Sequence, residues 1–258
     1  MEFTEKVALV TGATGSIGKG LAQRIVEEGG KCFITDLDQA KIDAICTELG
    51  ENCRGLAADC TKLDEVQAVV EACTKTFGPA IHVLLNVAGV TGEGAKVEEI
   101  SEKTWDFVFA VNCKGTFFFC KCVVPLMKAA GGGAIVNFSS KSGKTGSALM
   151  SAYSAAKGAI ISFTHALAFE LVKDHIRVNC VCPGITANSG VWSNVSSDYV
   201  RTMNKPMDEI VKAFTSKVPM GRLAEVEDVV NVTTFLASDR AAYMTGQAIN
   251  ITGGREMH

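Results

Sequence analysis

The 258-residue sequence lacks a Cys-x-x-Cys pair, a histidine cluster, a long unbroken apolar run and a large charge of either sign. Each absence removes a class of function. Its four histidines, His82, His165, His175 and His258, are scattered and form neither a metal-ligand set nor part of a Ser–His–acid triad, so no metal is expected. The closest cysteine pairs, Cys120/Cys122 and Cys180/Cys182, are spaced for neither zinc nor redox work. The ten cysteines fall mostly in apolar, strand-like stretches and read as small reduced core residues. A net charge of −3 argues against nucleic acid or an anionic membrane as partner. The opening MEFTEKVALVTG does not read as a secretion signal, and runs such as Ala80–Val90 are too short to span a bilayer. These features predict a soluble cytoplasmic protein.

No repeat, linker or low-complexity tract divides the chain, and apolar residues make up 47% of it, enough for one sizeable core. Short β-branched runs alternate with longer helical patterns. The strands expected are Lys6–Val10, Lys31–Thr35, Cys53–Ala57, Ile81–Leu85, Ala134–Phe138, Arg177–Val181 and Ala248–Ile251. Helical spacing appears over Ile17–Glu28, Leu63–Phe77, Trp105–Met127 and Ala152–Val172. Such alternation predicts an α/β, Rossmann-type, doubly wound parallel sheet of about seven strands, helices on both faces, in a single domain over 1–258. Residues Ile185–Pro219 show no strand pattern, and this irregular insertion after a strand is expected to be a substrate-binding lid.

The first strand runs into Thr11-Gly12-Ala13-Thr14-Gly15-Ser16-Ile17-Gly18 and then a helix. Glycines there permit a tight turn and close backbone approach to a pyrophosphate, which the helix N-terminus attracts. Asp36 lies 18 residues beyond Gly18, at the end of the second strand. It can accept hydrogen bonds from both adenosine ribose hydroxyls, and it would repel a 2′-phosphate. The competing reading makes it the N-cap of the stretch beginning near Asp38. No Lys or Arg follows it, and Thr14 stands where a phosphate-binding basic residue would sit, so NAD is expected rather than NADP.

Tyr153-Ser154-Ala155-Ala156-Lys157, Ser140 thirteen residues upstream of the tyrosine and Asn112 another 28 back complete a pattern with the N-terminal turn. A Tyr-x-x-x-Lys pair alone arises easily by chance, but the whole set does not. On these residues the chain resembles the short-chain dehydrogenase/reductase family over essentially its whole length. The family turn reads T-G-x-x-x-G-x-G; here Ser16 replaces the middle glycine and Gly15 stands one place earlier. Asn86-Val87-Ala88-Gly89 resembles the family's N-N-A-G with the second Asn lost. The resemblance implies cofactor contacts at Leu37, Asp59, Cys60, Asn86, Ala88 and Gly89, and also at Pro183, Gly184 and Thr186 after the sixth strand, where Asn188 replaces a family Thr. It also implies that Asn112 holds a proton-relay water, and that the C-terminal Thr245-Gly246-Gln247 and Thr252-Gly253-Gly254 are structural, near a subunit interface. A homotetramer is implied as well, with apolar area for subunit contacts supplied by Trp105–Met127 and Ala152–Val172.

The spacing makes chemical sense. Residues four apart share a helix face, so Lys157 can approach both Tyr153 and a bound ribose. A phenol is a poor base at neutral pH unless a nearby cation stabilises the phenolate. Tyr153 is then the expected proton acceptor from a substrate alcohol, and Ser140 the donor to the reacting oxygen. Ser142 and Trp192 are expected at the substrate, with Tyr199, Met203 and Met207 on the lid. Lys141 and Lys144 stand open between solvent and an anionic substituent. Gly190–Trp192 and these lid residues resemble the polyol dehydrogenases and acetoin/butanediol reductases of the family, so the expected substrate is a small polyol, sugar alcohol or hydroxy-ketone. Two alternatives compete: a 3-oxoacyl-thioester reductase using NADPH, and a non-catalytic nucleotide sensor. Asp36 counts against the first and the intact Asn–Ser–Tyr–Lys set against the second.

Overall fold

The computed structural model describes residues 1–190, 192, 200 and 206–258. Seven strands form one sheet: β1 Val7–Thr11, β2 Lys31–Thr35, β3 Cys53–Gly55, β4 Val83–Asn86, β5 Gly133–Phe138, β6 Ile176–Pro183 and β7 Ala248–Ile251. Their spatial order is β3-β2-β1-β4-β5-β6-β7, and each neighbouring pair is parallel. Every residue of β1 is buried, because helices cover both faces. Alternation along the strand sends Ala8 and Val10 into one core with Leu21, Ile25 and Val229. Val7 and Leu9 go into the other, with Val69, Phe119 and Val123.

Among the described residues, the α-helices include α1 Ser16–Glu27, α2 Gln39–Leu49, α3 Leu63–Phe77, α4 Glu102–Phe109, α5 Thr116–Ala129, α6 Lys141–Thr145, α7 Ser151–Leu171, α8 Met207–Thr215 and α9 Val226–Ala237. The stretch expected as one helix over Trp105–Met127 contains a π-helical turn, Ala110–Gly115, between α4 and α5. Glu102–Ala129 and Ser151–Asp174 are long and apolar enough to cross a membrane by composition. Here they pack against the sheet and bury Asn112, Tyr153 and Lys157. All ten cysteines are free, and burial pushes Cys120, for one, up to about 12.

The lid departs from its reading as irregular chain. It contains α8, and Thr186 forms a parallel bridge with Ala224. The helix is short and amphipathic, with Ile210 buried and Asp208 and Glu209 in its first turn, and such a piece is easily lost among polar neighbours. Of the expected lid residues, Tyr199 and Met203 lie outside the described residues. The chain goes out through β1, β2 and β3 and returns to β4 beside β1, so a crevice opens at the carboxyl ends of β1 and β4.

Candidate active site

Two cavities meet in that crevice. The first lies over the β1–α1 turn and is lined by Gly12, Gly15, Ser16, Ile17 and Gly18 together with Asp36, Leu37, Asp59, Cys60, Ala88 and Gly89. Gly12 has φ +64°, and a Cβ there would lie 2.7 Å from the Ala88 backbone. A Cβ on Gly18 would come within 2.3 Å of the Gly12 carbonyl oxygen, so both positions require glycine. Gly15 is the N-cap of α1 and offers no side-chain cap, leaving the helix N-terminus open to an anion. The Ser16 hydroxyl beside it is buried without a partner. An orphaned donor at a helix N-terminus has the chemistry that suits a pyrophosphate oxygen, so the departure from the family turn still leaves a hydrogen-bonding group there.

The rival reading of Asp36 falls away, because the N-cap of α2 is Asp38, whose carboxylate accepts from the Lys41 amide. The Asp36 carboxylate instead faces the turn. Its Oδ2 accepts from the Thr14 amide at 2.9 Å and the Thr14 hydroxyl at 2.7 Å, and its Oδ1 from the Leu37 amide at 2.8 Å. A carboxylate offers about four acceptor sites, so capacity remains. Asp59 Oδ1 likewise accepts from the amide and hydroxyl of Thr61. No Lys, Arg or His lines this cavity among the described residues; its charged side chains are Asp36 and Asp59.

Asn86 is not part of either lining. It is buried at the end of β4, where its amide donates to Asn137 at 2.9 Å and faces Cys120 Sγ at 3.4 Å; Asn137 in turn donates to Thr164 at 3.0 Å. Strand alternation turns this side chain into a polar chain beneath the floor of the site.

The second cavity is lined by Ser140, Ser142, Tyr153, Lys157, Pro183, Gly184, Thr186 and Trp192, among others. Ser140, at the end of β5, caps α6 and accepts from the Ser142 amide at 3.1 Å. Ser142 shares a hydrogen bond with Ser147 at 2.8 Å. Tyr153 and Lys157 lie one turn apart on the inner face of α7 and are both buried. Lys157 Nζ donates to the Phe138 carbonyl at 2.7 Å and lies 5.7 Å from the Tyr153 ring centroid. Burial pushes the Tyr153 phenol up to about 12, while its hydrogen bond with Ser140 pulls it down. Burial also pushes Lys157 down to about 8. Burial thus dominates the phenol, and its lowering comes from Ser140 rather than from the expected ammonium. A positive charge arriving beside Tyr153 is what would turn it into a base near neutral pH.

Asn112 sits in the π-helical turn, whose widened backbone presents it inward. Its amide donates to the carbonyls of Val90 and Val108, each at 2.8 Å, and its Oδ1 is buried without a partner. A Cβ on Gly89 would lie 2.7 Å from that Oδ1 and 3.0 Å from Lys157 Nζ, so the two polar atoms flank a space that glycine keeps open. The Thr186 hydroxyl, lining the second cavity, is a further orphan. Asn188 adopts φ +57°, a left-handed conformation that asparagine tolerates. Trp192 lies half-buried, edge-on to Phe214 at 6.3 Å. Phe214, Met150 and Arg255 also line this cavity, and nothing local in the sequence pointed to them.

An open crevice with a phosphate-ready turn beside a Ser–Tyr–Lys cluster defines an oxidoreductase that takes a nicotinamide dinucleotide. A family model described as enoyl-(acyl carrier protein) reductase matches residues 12–256. Galactitol 2-dehydrogenase of Agrobacterium fabrum is 36% identical over 258 residues, covering all of both chains. A 3-oxoacyl-(acyl-carrier-protein) reductase of Vibrio cholerae is 34% identical over 257 residues, again covering both chains fully. The crystal structure of an NAD+-bound xylitol dehydrogenase superposes with a TM-score of 0.94 at 30% identity, over 98% of this chain and 100% of that one. The chain belongs to the short-chain dehydrogenase/reductase family.

Proposed function

We propose that the protein is an NAD(H)-dependent dehydrogenase of a small secondary alcohol of the polyol, sugar-alcohol or hydroxy-ketone kind. The observation carrying the reading is the convergence of Ser140, Tyr153 and Lys157 in a cavity continuous with an acidic nucleotide crevice. Relatives named for galactitol and sorbitol agree with it. When bound, the nicotinamide supplies the hydride acceptor or donor. Tyr153 takes or returns the proton of the substrate oxygen, and Ser140 hydrogen-bonds that oxygen as charge develops on it. Lys157 holds the ribose and favours the phenolate, and Asn112 with Lys157 holds a water that passes the proton outward. The lid over 185–219, carrying Trp192, closes on the substrate. A 3-oxoacyl-thioester reductase remains the second reading, favoured by the Vibrio relative and disfavoured by Asp36. The deciding experiment is a panel of polyols, hydroxy-ketones and 3-oxoacyl thioesters with both cofactors, followed by nicotinamide absorbance.

Cofactor choice follows from the same charges. A 2′-phosphate would enter a cavity whose charged side chains are two carboxylates, with no basic residue among those described to receive it. NAD+ is expected to exceed NADP+ in kcat/KM by about tenfold or more, and Asp36→Ala to narrow that ratio. Equal use of both cofactors by the unmodified enzyme would remove the NAD assignment.

We also propose a cytoplasmic homotetramer acting on a small molecule, without nucleic acid or membrane partners. Trp105, Phe107 and Phe117 on the α4–α5 rod are exposed, as is Phe169 on α7 at 85%. Apolar side chains on the two longest helices suit self-complementary contacts between copies. Light scattering should give about four times the 27.3 kDa chain mass, and Phe169→Glu should lower it. A wild-type monomer at micromolar concentration refutes this.

A further inference from the structure

The substrate cavity differs in charge from the nucleotide crevice it adjoins. Its charged lining residues are Lys141, Lys157 and Arg255, and no Asp or Glu accompanies them among the described residues, in a chain whose net charge is −3. Two of these cations are engaged. Lys157 donates to Phe138 in the Tyr153 cluster. Lys141 donates to the Gly146 carbonyl at 3.3 Å and lies 3.6 Å from the Glu256 carboxylate, which offsets its charge. Lys144, on the same short helix, turns away to the Ala248 carbonyl at 2.8 Å and is absent from the lining.

Arg255 is different. It reaches the cavity from the chain beyond β7, and no carboxylate lies within ion-pair distance of it among the described residues. Its guanidinium lies over the Phe214 ring, 5.8 Å from the centroid, and Phe214 is braced edge-on by Trp192. Stacking on an aromatic face orders a guanidinium without neutralising it and leaves its edge free to donate. A planar fork of donors in a half-buried site suits a carboxylate or phosphate, which it can meet with two parallel hydrogen bonds.

We propose that Arg255 is a specificity-determining residue, and that the secondary alcohol this enzyme oxidises carries an anionic group, a carboxylate or a phosphate, which Arg255 holds. The proposal rests on the dehydrogenase reading above and narrows its substrate class. A neutral polyol fills the same cavity but leaves the half-buried guanidinium without a counter-charge, so discrimination is expected to favour the anion.

The test compares matched sets: a neutral polyol, the aldonate of the same stereochemistry and its terminal phosphate ester, each with saturating NAD+ and NADP+. The expected result is that one anionic member exceeds the neutral one in kcat/KM by tenfold or more, and whichever it is identifies the group. Arg255→Gln should cut that anionic-to-neutral ratio at least tenfold, mainly through KM, and Arg255→Lys should restore part of it. Equal or better use of the neutral polyol, or an unchanged ratio in Arg255→Gln, overturns the proposal while leaving the dehydrogenase reading intact. If no alcohol turns over with either cofactor, the dehydrogenase reading fails. Calorimetric titration of aldonate and phosphate ester into the NAD+-loaded protein then decides the remaining question. Saturable binding that Arg255→Gln weakens supports the anion site, and absence of binding overturns it.

Discussion

Tyr153→Phe is expected to lower kcat for alcohol oxidation by about 10²–10⁴-fold, the range that a positioned acid–base group contributes, while NADH affinity changes less than about threefold. The substitution removes one oxygen from a buried ring and leaves its packing with Ala152 and Ala156 in place. Stability should therefore stay near wild type, and a thermal melt can check this. The pH profile adds a second readout. The phenol is pushed up to about 12 by burial before any cofactor cation is present. Oxidation requires its deprotonated form, so kcat/KM should rise with pH in the wild type, and that rise should vanish in the variant. Retention of a tenth of the wild-type rate would remove Tyr153 from the proton-transfer role.

Lys157→Ala is the second large effect, expected to cost at least about 10²-fold in kcat/KM and to weaken NAD+ binding as well. The ammonium lies 5.7 Å from the Tyr153 ring centroid, and its loss leaves the phenolate less stabilised. The sign follows directly. Removing a positive charge raises the phenol pKa further, so the residual activity should rise at higher pH than in the wild type. The change also strips the Phe138 carbonyl of its donor at 2.7 Å, a buried loss of about 1–3 kcal/mol. Lys157→Met, which keeps the apolar stem but likewise lacks the donor, separates the packing cost from the loss of the ammonium, and a thermal melt of both variants reads the stability cost. Selective loss of turnover with unchanged NAD+ affinity would contradict the contact with ribose.

These two residues were legible because four-residue spacing on a helix is a local code: Tyr153 and Lys157 had to share a face once α7 formed. Asp36 was legible for a different reason, its place at the end of a strand whose partner carries the glycine turn. The hydrogen bonds from Thr14 to its carboxylate needed the two strand ends side by side. Asn86 marks the limit of such reading. Its place at the end of β4 is local information, but that its side chain joins a buried polar chain depends on register with β5, where Asn137 meets it. The π-helical turn that presents Asn112 left no trace in the apolar periodicity of Trp105–Met127, because one widened turn barely shifts a long repeat.

By itself the sequence determined the alternation of strands and helices, the glycine turn and the catalytic spacing, since each is written in residues close along the chain. The tertiary structure alone decided how charge is distributed between the two cavities. Arg255 arrives from the far end of the chain, Phe214 from α8 and Trp192 from the segment before it. Glu256 offsets Lys141 while Lys144 turns away to β7. Which lysine is offset and how the arginine is held is settled by contacts between residues distant along the chain, and no local pattern carries that information.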